Sequence, residues 1–416
     1  MVSSALQHTS VPTPSGGTPP RPSFGRALAA LGLGGFSIGT GEFVIMGLLP
    51  DAAQDLGISI PAAGHLISAY ALGVVVGAPV LAVLGAKLPR RTLLVALMAF
   101  FALGNFASAA APAYLSMIFM RLMTGLPHGT YFGVAALVAA QLAPDGQRAR
   151  AVGYVMLGLT GATLFGVPLA TGLGQWLGWR SAFALVGAIG VLAALLVWRW
   201  IPPLAAGAGA SPWRELGALR RKQVWLTLGI GAIGFGGMFA VFSYVKPTLM
   251  ELAGLPVQGV PFVLAMFGVG MVGGNLLGSR LADKSLMATI FGLLVWSGLV
   301  LGAFCLTASN LWLGSVNVLL IGTIVAIGPA LQIRLMDVAG DAQTLAAALN
   351  HSAFNLANAL GAWLGGLTIS AGLGWASTGW VGLLLALGGL AIFGVSYAQM
   401  RHRDEAPAPT HPPASS

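Results

Sequence analysis

LISAYALGVVVGAPVLA, residues 66–82, runs seventeen positions without a charge, and the apolar stretch around it extends from 62 to 84. A helix needs about 20 apolar residues to cross the hydrocarbon core of a bilayer, so this stretch reads as a membrane span. It stops at the basic turn GAKLPRR, 85–91. Outward from it, eleven further stretches have the same character: 27–49, 92–111, 114–139, 149–172, 181–201, 224–245, 257–279, 286–307, 311–333, 345–370 and 376–398. The chain therefore reads as an all-α membrane protein with twelve spans.

Composition agrees. Of 416 residues, 56% are apolar and 7% charged, and mean hydropathy is +0.85, against about 25% charged residues in an ordinary soluble domain. The 60 glycines would weaken soluble helices, but inside a membrane bundle small residues let backbones approach closely. Gly73 and Gly77, Gly125, Gly129 and Gly133, Gly270, Gly274 and Gly278, and Gly361 and Gly365 recur at this four-residue spacing.

A net charge of +9 raises the question of nucleic acid, and the distribution of charge answers it. With the amino terminus inside, 17 of the 20 basic residues fall on cytoplasmic tails, loops and helix ends. Arg180 and Lys246 fall outside, and Arg121 lies within a span. That asymmetry fixes membrane orientation; it is not a nucleic-acid footprint, and both termini are expected in the cytoplasm. The single cysteine, Cys305, excludes an intrachain disulfide and suggests no Cys-based metal site.

The longest polar interruption, PPLAAGAGASPWRELGALRRKQ at 202–223, separates six spans from six. The expected organisation is a cytoplasmic tail (1–26), a first six-helix bundle (27–201), a linker (202–223), a second bundle (224–398) and a second tail (399–416). Shifting the chain by 197 residues aligns Pro50 with Pro247, Gly57 with Gly254, Gly73 with Gly270, Gly77 with Gly274 and Lys87 with Lys284. Glycine is abundant enough to coincide by chance; the proline and the loop lysine make a repeat the stronger reading.

Three patterns borrowed from soluble enzymes fail on context. GFSIG at 35–39 fits a nucleophile elbow, and GIGAIG (229–234) and GVGMVG (268–273) fit a dinucleotide fingerprint. Each needs a preceding strand, and each lies inside or at the edge of an apolar helix. No cofactor or metal site is expected.

An ionisable group inside a span costs about 2.5–3.5 kcal/mol or more, so the few present are functional candidates. Glu42 lies some 15 residues, about 22 Å, along the first span. It reads either as a carboxyl that exchanges a proton as its exposure changes or as a structural carboxyl bonded to a neighbouring helix. Arg121, in RLMTGLPHG (121–129), stays charged in any protein environment and needs a partner: a carboxylate such as Glu42, or a group of backbone carbonyls. His351, Asn355 and Asn358 share one helix face at i, i+4 and i+7, as substrate contacts or interhelical hydrogen bonds. His128 and His65 are weaker candidates. After span 2 come Lys87, Arg90 and Arg91; after span 8 come Arg280, Asp283 and Lys284, where Asp283 between two cations reads as a cytoplasmic charge latch.

Together, GTGEFVIMGLLPDAAQDLG (39–57), LISAYALGVVVGAPVLA (66–82), RLMTGLPHGTYFGVAALVAA (121–140), GLTGATLFGVPLATGLGQWLGWRSAF (158–183), GFGGMFAVFSYVKPTL (234–249), GNLLGSRLADKSLM (274–287) and MDVAGDAQTLAAALNHSAFNLANALGAWLGG (336–366) resemble the twelve-helix drug:proton antiporters of the major facilitator superfamily, in the arabinose-efflux-like and chloramphenicol-resistance-like branch. The resemblance covers about residues 27–398. It implies two pseudo-symmetric six-helix bundles, proton coupling through the arginine at Arg121 and the acidic position at Glu42, and a helix 5 antiporter motif at Gly161, Gly166, Pro168 and Gly172 that bends where the halves meet. It also matches Asp283 to the acidic position after helix 8. One departure stands out: after helix 2 the acidic position is Ala86, and the leading glycine is Ala82.

The expected function is secondary active transport: export of a small neutral or weakly amphiphilic solute (sugar, nucleoside or antibiotic-like) in exchange for protons by alternating access, in the bacterial inner membrane, by a monomer. Its partners would be that substrate, protons and the lipid bilayer, without nucleic acid. Proton-coupled sugar or nucleoside uptake is the alternative. A membrane-embedded enzyme would need a nucleophile with its base or a metal cluster, and a nonselective channel suits a two-fold repeat with sparse buried charge less well.

Overall fold

The computed structural model describes residues 24–58, 60–206, 211–256 and 259–404. The expected tails fall largely outside these residues. Among the described residues the structure is helical throughout, with twelve long helices: α1 (Phe24–Gly47), α2 (Ile60–Leu84), α3 (Arg90–Ala110), α4 (Tyr114–Leu142), α5 (Arg148–Leu177), α6 (Arg180–Trp200), α7 (Lys222–Phe242), α8 (Val260–Lys284), α9 (Leu286–Thr307), α10 (Leu311–Ala339), α11 (Gln343–Ser370) and α12 (Ser377–Asp404).

Several boundaries move outward from the apolar stretches. Helix α10 continues to Ala339 and α12 to Asp404, so part of the expected 399–416 tail is helical. In α12, Arg401 sits 5.7 Å over the Tyr397 ring one turn back, a contact available only while the helix persists. Arg280 and Lys284 lie in the last turns of α8, not in a loop. Part of the 202–223 linker is also helical, at Pro212–Leu216 and Gly217–Arg220.

Ten of the twelve long helices described are long and apolar enough to cross a membrane by composition. The other two, α4 and α11, have the length, at 29 and 28 residues, but carry the polar side chains singled out above. Their position permits this. Every residue of α4 from Pro127 to Ala139 is buried, and α11 packs on α4 and α2 from the other half. The lipid-facing helices instead expose Leu84, Leu103, Leu195, Trp198, Leu299 and Leu306, side chains that a bilayer solvates at no cost.

The repeat is visible atom by atom. A Cβ added at Gly73 would strike the Leu122 carbonyl and one at Gly270 the Leu319 carbonyl, 197 residues on; Gly125 abuts the Tyr70 carbonyl and Gly322 the Phe267 carbonyl, again 197 apart. Gly57 and Gly254 cap the short helices Leu49–Leu56 and Val245–Ala253 at φ 64° and 66°, a left-handed conformation that favours glycine. The packing pairs follow suit: α2–α4, α3–α6, α1–α5 and α1–α6 in the first half recur as α8–α10, α9–α12, α7–α11 and α7–α12 in the second.

Between the halves, α4 meets α11 and α10 meets α5, while α2 meets α11 and α8 meets α5. The closest approaches lie toward the face where the basic residues gather. A Cβ at Gly133 would sit 2.6 Å from the Ala348 nitrogen, and one at Gly153 2.6 Å from Ser279. The halves are thus closed at the basic face.

Candidate functional site

Arg121 decides the local arrangement. The guanidinium is fully buried, and its partners are carbonyls: Nε donates to Leu66 O at 3.2 Å, one terminal nitrogen to Gly41 O at 2.8 Å and the other to Glu42 O at 3.3 Å. The Tyr70 ring lies 4.4 Å beneath it and the Phe183 ring 5.6 Å away. Of the two partners open from sequence, the structure selects the carbonyl group; Arg121 touches Glu42 through its backbone. The fork geometry of arginine suits three divergent acceptors in a way that an ammonium does not. The residue thereby ties α4 to α1 and α2.

This leaves the Glu42 carboxyl toward His128. Glu42 Oε2 stands 3.9 Å from His128 Nδ1, with 12% of the glutamate side chain exposed and 2% of the histidine. Tyr70 Oη lies 3.0 Å from the same Nδ1. His128 then opens onto a ring cluster: Phe132 at 5.2 Å, His351 at 5.2 Å, and His351 stacked on Phe132 at 4.5 Å with 16° between planes. The cluster continues through Phe354 to Phe235 and Phe239. Glu42, His128 and His351 therefore form one row across the junction of the halves. The arrangement combines a partly exposed carboxyl, two buried imidazoles and apolar ring faces.

The remaining sequence candidates are dispersed. Asn355 turns its amide to the His351 carbonyl of its own helix at 3.0 Å, and Asn358 is half-buried on the same helix. His65 bonds Tyr114 Oη at 2.7 Å, away from the cluster. Tyr70 and Phe132, which complete the site, are indistinguishable in sequence from ordinary apolar stripe residues.

The helix 5 motif shapes a real irregularity. Pro168 has no N–H for the carbonyl of Leu164, and α5 passes through one π-helical turn at Ala162–Gly166 just before it. Leu164 meets Gly268 of α8 across the halves. Gly161 and Gly166 instead face Phe36 and Thr40 of α1, and Gly172 has open space beside it.

At the basic face Asp283 has a partner that the sequence does not suggest. Its two carboxylate oxygens accept the Ala149 N–H at 2.7 Å and the Arg150 N–H at 3.0 Å, with Arg150 Nε at 3.9 Å. The side chain is 7% exposed and caps the first turn of α5 in the opposite half, where unpaired amides and the helix dipole favour an anion. The expected pairing of Asp283 with Arg280 and Lys284 is thus replaced by a helix cap. Among the first-half cations, Arg90 donates to Gln141 Oε1 at 2.7 Å and Arg91 lies 4.8 Å over Trp198; Lys87 sits in the turn after α2.

The family model described as Major Facilitator Superfamily matches residues 31–343. The inner membrane transport protein YdhP of Escherichia coli K12 is 42% identical over 366 residues, covering 88% of this chain and 94% of that protein. The chloramphenicol resistance protein of Streptomyces lividans is 32% identical over 374 residues, covering 86% and 93%. Among solved structures, the proton:xylose symporter XylE superposes with a TM-score of 0.69 at 15% identity, over 90% of this chain and 95% of that one, a likeness of fold.

Proposed function

The chain belongs to the major facilitator superfamily and is a multi-pass transporter of the bacterial inner membrane, not an enzyme; from that premise we propose that it exports a small neutral or weakly amphiphilic solute in exchange for protons. The observation that carries this reading is the division of labour around Arg121. The guanidinium spends its donors on three carbonyls, so the Glu42 carboxyl is not neutralised by a bidentate partner and is left beside His128, partly exposed. A charge held inside a span is costly, and a carboxyl relieves that cost by taking a proton. Solute entering against the His128, Phe132 and His351 rings changes the surroundings of this one group, which couples binding to proton release under alternating access. Export is favoured over uptake by the resistance function named for the Streptomyces relative.

Growth of a deletion strain and an overexpressing strain across a toxic-compound panel identifies the solute. Purified protein in liposomes under an imposed pH gradient then tests the coupling. Glu42→Gln is expected to bind solute and lose gradient-driven export, and Glu42→Asp to keep part of it. Wild-type coupling in the Gln variant would falsify the assignment.

A further inference from the structure

Helices α5 and α11 are repeat partners, both begin at the basic face, and both lack a side-chain cap of their own, at Gln147 and Ala342 respectively. Asp283 caps α5 from the other half. Under the 197-residue repeat, the residue that would do the same for α11 is Ala86, which has no acceptor to offer.

The acceptor arrives from elsewhere. Glu215, in the linker helix Pro212–Leu216, accepts the Leu345 N–H at 2.8 Å and lines one cavity with Thr344. Thr344 and Leu345 are the second and third residues of α11, as Ala149 and Arg150 are of α5. Glu215 is 5% exposed; burial lifts its carboxyl above the ordinary range while the α11 donors pull it the other way. Ser211 Oγ accepts the Arg214 N–H at 3.2 Å and fixes the start of the linker helix, and Arg214 reaches Asp341 Oδ2 at 2.8 Å. Ala218 of the linker is buried in one cluster with Ala78 and Ala82 of α2 and Leu345 and Ala346 of α11. A cavity of about 250 Å³ separates Ala86 from this cap, lined by Ala86, Arg90, Glu215 and Thr344 among others; it is the space that a carboxylate on residue 86 would enter.

We propose that Glu215 is the second cytoplasmic latch of this transporter: a positioning residue, carried by the interdomain linker, that replaces the carboxylate missing at position 86 and holds α11 against α2 and α4 in the state closed at the basic face. Both latches set a carboxylate on the first-turn amides of a helix, two amides for Asp283 and the Leu345 amide for Glu215, and they differ in origin. Asp283 reaches across directly from the opposite half, while Glu215 acts through a segment that belongs to neither bundle. The inference needs only the two halves closing and opening at that face, so it is independent of the proton-export reading.

The test reads conformation, not flux. In a Cys305→Ser background, Ser279→Cys places a nearly isosteric thiol at the α5–α8 contact, where Ser279 is 1% exposed; this is the opposite latch, so its labelling by a thiol reagent from the cytoplasmic side reports opening of the whole face. Glu215→Ala is expected to raise the labelling rate about two- to thirty-fold, the range that loss of one helix cap corresponds to, and Glu215→Gln to fall between. Adding Ala86→Asp to Glu215→Ala is expected to restore slow labelling, a rescue that a merely structural linker residue would not show. Unchanged labelling in monodisperse Glu215→Ala protein overturns the proposal, as does a failure of Ala86→Asp to slow it. Loss of proton coupling in Glu42→Gln with these labelling rates unaltered would leave the latch standing, and normal coupling with no Glu215 effect would remove the latch alone.

Discussion

The imidazoles of His128 and His351 face each other across the junction of the two halves, 5.2 Å between ring centroids, with Phe132 packed against both. The only covalent path between these rings runs through the linker, so their contact changes whenever the halves rock. Among the described residues His351 Nε2 is buried with no hydrogen-bond partner, while its ring face packs on Phe132 and His128. His351→Phe is therefore expected to keep transport within about twofold of wild type, whereas His351→Ala forfeits a stacking contact of about 0.5–1.5 kcal/mol and slows transport several-fold. Solute flux in proteoliposomes distinguishes the two; a Phe variant as impaired as the Ala variant would assign the nitrogen a role.

Arg121→Lys keeps the charge and loses the fork. One ammonium cannot reach the Leu66, Gly41 and Glu42 carbonyls together, so at least one charge-assisted hydrogen bond is lost, at a cost of about 1.5–3 kcal/mol. The expected result is a lower melting temperature in detergent and loss of transport, with Arg121→Ala worse on both counts. Equal stability of the Lys variant and wild type would mean that the carbonyl contacts contribute little.

Asp283 makes two amide bonds, of which an amide side chain can reproduce one. Asp283→Asn is expected to retain about half of the cap and Asp283→Ala none, with the Ala variant costing about 1 kcal/mol of closure. Accessibility of a Ser279→Cys thiol in the Cys305→Ser background should rise in the order wild type, Asn, Ala. Neutralising Arg280 or Lys284 should leave that accessibility unchanged, because neither contributes to the cap.

At the opposite face, Asp55 accepts hydrogen bonds from Arg180 and from Trp179 Nε1, and these hold its carboxyl below its ordinary value of 3.8. A lowered acid stabilises the folded state above the ordinary value and ceases to do so as the pH falls through the lowered one. Asp55→Asn is thus expected to melt about 1–3 °C below wild type at neutral pH, the modest effect of an exposed pair, and the gap should close as the pH drops below 3.8. A gap that widens in acid would reverse the sign and exclude the pair as its source.

The parts of this molecule readable from sequence are those where a residue type is out of place for its solvent. Glu42 and Arg121 stand out because charge is rare in lipid, and the repeat stands out because Gly73 and Gly270 are fixed by the same backbone crossing. Tyr70 and Phe132 are invisible by the same logic: an aromatic ring in an apolar run is the default, and only the fold sets these two against His128. Asp283 is legible as an acid at a loop but not as a cap, since its partner is an amide 133 residues away and amides have no sequence signature. Glu215 is harder still. In sequence it is one charge in a polar linker, and its burial follows from how Ala218 and its neighbours settle against α2 and α11.

The interlocked glycines have a mechanical consequence. Where Gly73 and Gly125 of one half, and Gly270 and Gly322 of the other, bring backbone against backbone, there is no side-chain layer to shear, so each crossing behaves as a rivet and each half as a stiff lever. A stiff lever concentrates displacement at its free ends. The work of turning the molecule inside out then falls on a few short-range contacts at the basic face, and a ligand that wedges between them there would stall the cycle without touching the His128 and His351 rings.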